Sequence, residues 1–87
     1  MSARRALSLN RTIITPGDRE RFLARAREMR SHYQQSGCKY WLFEERQLPG
    51  AFIEFAEGPT AEQLASAHQS IPEGLLDPHR IYSEVEL

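Results

Sequence analysis

The feature that most constrains this chain is the order in which its hydrophobic periodicities follow one another. Residues 6–14 alternate apolar and polar side chains, which is typical of a half-buried strand. Residues 16–36 then repeat apolar side chains at three- and four-residue spacing, from Phe22 to Tyr33, which predicts a helix. A second strand–helix–strand pattern follows a short turn, so we expect two β-α-β units in a single domain that covers residues 1–87.

Capping and turn residues place the boundaries of these elements. Thr15 is a candidate N-cap before a proline at the first helical position, and Gly37 permits a left-handed C-cap. Thr60 with Gln63 has the form of a capping box and predicts a second helix over 60–70. The remaining elements are a strand over 38–46, a turn over 47–50, a strand over 51–56, a loop over 71–79 and a final strand over 80–87.

This order predicts an α+β, ferredoxin-like β-α-β-β-α-β fold with a four-stranded antiparallel sheet. The handedness of crossovers places both helices on one face of that sheet. Sorting the strands by hydrophobicity gives a helix-covered face of Leu7, Leu9, Ile13, Ala51, Ile53, Phe55, Ile81, Val85 and Leu87. The opposite face then carries Ser8, Asn10, Thr12, Phe52, Glu54, Ala56, Tyr82, Glu84 and Glu86. The second strand stays open, because Tyr40 with Leu42 and Trp41 with Phe43 are both apolar pairs.

The predicted open face carries aromatic residues that a monomer would leave in water. Phe52, Tyr82 and the aromatics of the second strand would form a patch large enough to mark an interface. A short chain also gains stability by covering a sheet face with a second copy. We therefore expect a homodimer whose two sheets face each other and enclose a cavity, as in a dimeric α/β barrel.

Composition narrows the possible settings and partners. The net charge is −1, the hydrophobic fraction is 40%, and no apolar run approaches the length of a membrane span. Eight arginines lie in residues 1–30, but the acidic second half balances them, so we expect neither nucleic-acid nor membrane binding. The single cysteine, Cys38, predicts a reducing, cytoplasmic setting and a buried apolar role for its side chain.

Polar side chains on the predicted cavity face are the candidates for chemistry. Asn10, Glu54 and Glu84 lie there, and a carboxylate in an enclosed apolar space can serve as a general base. The alternative is that the two glutamates pair with Arg11 or Arg80, or lie at a hydrated cavity mouth. Candidate catalytic residues are Glu54 and His68, and candidate ligand-binding residues are Asn10, Tyr40, Trp41, Phe52, Tyr82 and Glu84. No histidine or cysteine spacing indicates a metal site, and no cofactor is expected.

Four short segments resemble the antibiotic-biosynthesis-monooxygenase-like proteins, which are dimeric α/β barrels. They are Gly37-Cys38, Tyr40-Trp41-Leu42-Phe43, Pro49-Gly50-Ala51-Phe52 and Ala67-His68, and the similarity spans residues 6–87. The resemblance implies a homodimer with a ligand cavity, in a family that includes cofactor-independent oxygenases of aromatic or quinone-like substrates. The chain departs from the family where Phe55-Ala56-Glu57-Gly58 replaces the usual glutamate and aromatic, and it lacks the first-strand histidine.

Three functions therefore stay open at the level of sequence. The first is a homodimer that binds a small molecule, such as an aromatic one, between its sheets. The second is a cofactor-independent monooxygenase or isomerase of an aromatic or polyketide-like compound, with Glu54 or His68 as the base and Asn10 or Tyr82 as the anion stabiliser. The third is a protein-interaction module, which predicts a filled dimer interior with no cavity.

Overall fold

The computed structural model of the chain describes residues 4–71 and 80–87, and the elements follow the predicted order. In chain order they are β1 (Ala6–Ile13), a 3-10 turn (Pro16–Asp18), α1 (Arg19–Gln35), β2 (Lys39–Glu44), β3 (Ala51–Gly58), α2 (Ala61–Gln69) and β4 (Ile81–Ser83). β4 is shorter than the strand predicted over 80–87. The loop predicted over 71–79 lies, apart from Ile71, outside the described residues.

Local hydrogen bonds end α1 and begin α2 where the sequence predicts. Gly37 has a φ of 76°, and the backbone N–H of Cys38 donates to the carbonyl of Tyr33 (2.8 Å), which is the pattern of a Schellman cap. At the start of α2, the hydroxyl of Thr60 accepts a hydrogen bond from the backbone N–H of Gln63 (3.1 Å). Both helix ends are therefore fixed by residues local to them.

The start of α1 is held by an ion pair instead of the predicted cap. Thr15 donates its hydroxyl to the carboxylate of Asp18 (3.0 Å) and makes no side-chain bond to the helix backbone. Arg19 makes two hydrogen bonds to Glu44 on β2 (2.7 and 3.0 Å), and Glu44 also accepts from the N–H of Gly50 (2.9 Å). The Arg19 bonds, and after them the Gly50 bond, lower the pKa of Glu44 to about 2.

The four strands form one antiparallel sheet in the order β2-β3-β1-β4. Side chains from both helices share a single core with the sheet, including Met29 and Tyr33 from α1 and Leu64 and Ala67 from α2. Both helices therefore cover the same face, as predicted. The α+β architecture is compatible with a ferredoxin-like fold.

The faces of β1 and β3 are the reverse of those predicted. The helices cover Ser8 (0% exposed), Phe52 (2%), Glu54 (1%) and Ala56 (0%). Leu7, Leu9, Ile53 and Phe55, which were predicted beneath the helices, alternate with these residues and lie on the other face. Ile13, Val85 and Leu87 were also predicted beneath the helices and are exposed. Thus Phe52 packs on α1, where its ring centroid lies 4.8 Å from that of Phe22.

Side-chain size explains this reversal better than polarity. At the centre of the core, β1 contributes the small residues Ala6 and Ser8 and β3 contributes Ala56, while the helices contribute the large groups Tyr33 and Leu64. A close-packed interior needs such alternation of large and small groups across two layers. A prediction from hydrophobicity alone assigns the helices to the wrong face of the sheet, because the open face is itself apolar.

The structure also shows which residues of β2 and β4 face the helices. Tyr40 faces the helices at 7% exposure, whereas Trp41 lies on the opposite face at 38% exposure. Ile81 packs against the core and Tyr82 lies on the open face, both as predicted, and the cross-strand partner of Tyr82 is Leu7. Of the helices in the described ranges, neither combines the length and apolar character needed to cross a membrane.

Candidate functional site

The first part of the candidate site is a buried hydrogen-bonded chain between the sheet and the two helices. The hydroxyl of Ser8 lies 3.1 Å from Nε2 of His68, and the hydroxyl of Tyr33 lies 2.8 Å from Nδ1 of the same ring. A hydroxyl can donate or accept, so a neutral imidazole has both nitrogens satisfied in this arrangement. Desolvation lowers the pKa of His68, which favours that neutral form.

The second part is a buried tyrosine–carboxylate pair. The hydroxyl of Tyr40 donates to Oε1 of Glu54 at 2.6 Å, a short bond of the kind that a charged acceptor makes. Glu54 is 1% exposed, and its other oxygen, Oε2, has no hydrogen-bond partner among the described residues. An orphaned carboxylate oxygen in a core is costly, so this atom calls for a functional explanation.

A stack of two tyrosine rings brings these two parts together. The rings of Tyr33 and Tyr40 are nearly parallel (7°), with centroids 5.6 Å apart. Burial raises the pKa of both phenols, and the nearby Glu54 carboxylate raises them further, so both hydroxyls keep their protons. We call Ser8, Tyr33, Tyr40, Glu54 and His68 the inner polar cluster.

The strand register places this cluster in two adjacent rows of the sheet. Ser8, Ala56 and Tyr40 are cross-strand partners in one row, and Asn10, Glu54 and Leu42 are partners in the next. Ala56 therefore separates the serine from the tyrosine with the smallest chiral side chain. This leaves room above the sheet for the Tyr33 ring, which is fully buried.

The predicted site residues fall into two groups on opposite sides of the sheet. Glu54, His68 and Tyr40 belong to the inner polar cluster, although Glu54 and His68 make bonds to different tyrosines. Asn10 is next to Glu54 in register, is half-buried, and donates to the hydroxyl of Thr12 (3.2 Å). The geometry thus places four of the predicted polar residues on the helix side of the sheet and not on the open face, namely Asn10, Tyr40, Glu54 and His68.

The remaining predicted residues lie elsewhere. Phe52 is buried beneath α1, with the guanidinium of Arg19 5.3 Å from its ring centroid. Trp41 and Tyr82 are on the open face. Glu84 follows β4 and pairs with Arg5 (2.7 Å), whose hydrogen bond lowers its pKa. Its arginine partner is thus Arg5, which the alternative did not name.

Sequence reasoning missed Ser8 and Tyr33 as members of the cluster. Tyr33 was assigned to the apolar stripe of α1, but a buried tyrosine hydroxyl needs a polar partner. That requirement was a usable signal. No sequence pattern indicates the role of Ser8, because its bond to His68 joins residues 60 positions apart in the chain.

The side of the sheet away from the helices carries bulky apolar groups. We call it the open apolar face, and its members are Leu7, Leu9, Trp41, Phe43, Ile53, Phe55 and Tyr82. Phe43 is 55% exposed and Tyr82 is 49% exposed. Phe43 and Phe55 meet edge to face with centroids 5.7 Å apart. The aromatic patch predicted for this face is therefore present, with Tyr82 and second-strand aromatics as predicted, whereas Phe55 stands in place of Phe52.

No protein family, curated protein or solved structure matches this chain. Within residues 4–71 and 80–87, no three histidine, cysteine or acidic side chains come together in a way that would hold a metal ion. Two features of the described residues therefore bear on function, the inner polar cluster and the open apolar face.

Proposed function

We propose that the protein is a homodimer that binds a small molecule, with its two sheets packed together through the open apolar face. The observation that carries this proposal is the set of aromatic and aliphatic side chains left on that face. The arrangement is that of a dimeric α/β barrel, the type of protein that the sequence resembles.

The dimensions of the sheet suit an interface between two copies. Strands about 4.8 Å apart, with residues rising about 3.3 Å each, give the 25 residues of the four strands a face of about 400 Å² in plan. Side-chain relief adds to this area. It is then of the order of the roughly 800 Å² that each partner contributes to a standard interface.

The charges around the open apolar face favour a second copy over a polyanion. Lys39 is the cross-strand partner of Glu57, and Arg11 pairs with Glu45 at 3.4 Å. The rim is thus locally neutralised, and two identical faces meet without net repulsion. A nucleic-acid surface would instead carry unbalanced positive charge beside its aromatics.

The ligand site in this proposal lies between the sheet and the helices. Asn10 and Glu54, which were expected to line a cavity between facing sheets, lie on the helix side instead. The orphaned oxygen of Glu54 supports a site there, because a ligand hydroxyl or N–H would satisfy it. The facing sheets then provide stability, and each protomer has its own polar site.

The dimer is tested by a variant of the open apolar face with a matched control. Phe55→Asp places a charge at the centre of the face, so light scattering should give the mass of one chain, 10.0 kDa. Leu48→Asp adds the same charge at an exposed position in the β2–β3 turn and should keep the dimer. Equal masses for the two variants would contradict the proposed interface.

The orphaned oxygen of Glu54 also favours a second candidate function, cofactor-independent oxygenation or isomerisation. A buried carboxylate can remove the proton of an acidic phenol or enol, and the resulting anion can react with dioxygen or accept a proton at another carbon. Oxygen uptake with a panel of hydroquinones tests the oxygenase. Glu54→Gln and Asn10→Ala should abolish uptake, and Glu57→Gln, on the other face, should not. Uptake unchanged in the first two variants rejects this assignment.

A further inference from the structure

A groove runs between α1 and β2, the strand at the edge of the sheet. It encloses about 450 Å³, which is within the range of small-molecule pockets. We call it the α1–β2 groove, and its lining residues are Leu23, Ala26, Arg27, Arg30, Tyr40, Trp41 and Leu42. Two of these residues are cationic, none is acidic, and the rest are apolar or aromatic.

The two arginines of the groove differ from four other arginines of this chain, which form ion pairs. Arg27 and Arg30 are three residues apart on α1 and so lie on the same side of the helix. No carboxylate of the described residues comes within ion-pair distance of either. By contrast, other arginines pair with acids, namely Arg5 with Glu84, Arg11 with Glu45, Arg19 with Glu44 and Arg21 with Asp18. The groove thus concentrates positive charge that the described part of the protein does not neutralise.

We propose that the α1–β2 groove binds a small organic anion with an aromatic body, such as an aromatic carboxylate. The planar guanidinium groups of Arg27 and Arg30 match a carboxylate in shape and charge. Leu23, Ala26 and Leu42 offer the apolar surface that an aromatic ring requires. This inference names the ligand class for the proposed function and depends on that function.

Tyr40 connects the groove to the inner polar cluster. It lines the groove, and its hydroxyl donates to Glu54. A ligand seated in the groove therefore contacts the residue that holds the buried carboxylate. The acid group of such a ligand belongs near the arginines, away from the like charge of Glu54. This arrangement sets the orientation of the ligand.

The test compares an acid with its uncharged amide on the full chain. The probes are 4-(trifluoromethyl)benzoate and 4-(trifluoromethyl)benzamide, followed by fluorine NMR and by the indole N–H of Trp41, which is the only tryptophan. We expect the benzoate to bind about tenfold more tightly than the amide, because two exposed arginine contacts each contribute about three- to fivefold.

The variants assign that preference to the groove. Arg27→Gln and Arg30→Gln should each weaken benzoate binding about three- to fivefold and leave amide binding unchanged. Arg21→Gln removes the same charge from α1 outside the groove and should leave both unchanged. Equal binding of acid and amide, equal effects of all three variants, or no binding of either probe at millimolar concentration would each overturn the inference.

The outcomes separate this inference from the function on which it depends. Amide and benzoate binding with equal affinity at Trp41 would overturn the anion preference and leave small-molecule binding intact. A monomeric mass in the same samples, with the acid still preferred, would contradict the dimer and retain the groove. Loss of binding to both probes in Glu54→Gln would show that the inner polar cluster, and not the arginine pair, is the main determinant.

Discussion

The two faces of this sheet use opposite chemistry. The face beneath the helices combines small residues with hydrogen-bonded polar ones, from Ser8 and Ala56 to Glu54. The open apolar face carries large side chains such as Phe43 and Phe55, and the first of these is 55% exposed. A monomer would normally show the reverse, with its bulky apolar groups covered and its polar groups in water.

This difference shows that the two helices leave bulky apolar surface on the other face of the sheet uncovered. The helix-side core is closed by side chains from α1 and α2, so it is complete within one chain. The open apolar face has no such cover in the described residues. Stability on the helix side should therefore be independent of protein concentration, whereas stability from the open face should depend on it.

The largest expected effect is on the helix side, at Leu64. This residue is 0% exposed, and Leu64→Ala should lower the free energy of unfolding by about 2–5 kcal/mol through lost burial and a residual cavity. Urea unfolding at several protein concentrations measures the loss. A loss that shrinks as concentration rises would contradict the view that this core is complete in one chain.

The next effect concerns the open apolar face, at Leu9. Leu9→Ala removes the same group from a half-buried position on that face. The unfolding midpoint of the unaltered protein should rise with protein concentration, and this dependence should weaken in Leu9→Ala because the dimer is less stable. A concentration-independent midpoint for the unaltered protein would remove the proposed role of this face.

A smaller effect on stability is expected when a single hydroxyl group is removed from a tyrosine on either side of the sheet. Tyr33→Phe leaves Nδ1 of the buried His68 without its partner and should cost about 1–3 kcal/mol. Tyr82→Phe deletes the same hydroxyl on the open face, where it makes no hydrogen bond among the described residues, and should change stability by less than about 0.5 kcal/mol. Similar losses in the two variants, measured by urea unfolding, would show that the Ser8–His68–Tyr33 chain adds no stability.

The smallest expected effects are two pH dependences of folding stability, one from His68 and one from Glu44. Because desolvation depresses the pKa of His68 in the folded state, the unfolded chain binds the proton first, and stability should fall as pH drops below 6.5. Because the pKa of Glu44 is lowered from 4.5 to about 2, its contribution should be lost as pH falls through that lower window.

A variant of His68 and a variant of Glu44 serve as controls for each other, because each should remove only one of the two pH dependences. His68→Gln should flatten the dependence of stability just below pH 6.5 and retain the acid window, and Glu44→Gln should do the opposite. Thermal unfolding across both windows is the measurement. A histidine variant with an unchanged slope would mean that burial of the His68 ring does not control its protonation.

The elements of the fold could be predicted because their signals are local. The left-handed cap at Gly37 and the N-cap at Thr60 depend on residues a few positions away, and the alternation of the strands is visible in any short window. The polar residues Glu54 and His68 were also recognisable as candidates. The family resemblance stays a prediction, since no comparison tests it.

What could not be predicted is which way each strand faces. Both faces of β3 include phenylalanine, at Phe52 and Phe55, so hydrophobicity does not distinguish a face covered by helices from one suited to a partner. The answer depends on how closely the helices approach, which requires small residues at Ser8 and Ala56. That is a property of packing between distant segments, and the bond between Ser8 and His68 has the same origin.

The most direct test of the open apolar face as an interface is the mass of the unaltered protein by sedimentation equilibrium at micromolar concentration. We predict a mass of twice 10.0 kDa, or about 20 kDa, with a reversible fall toward the single-chain mass on dilution. A mass of 10.0 kDa throughout the micromolar range would contradict the proposed interface, because the aromatic side chains of the open apolar face would then be exposed to water without a partner.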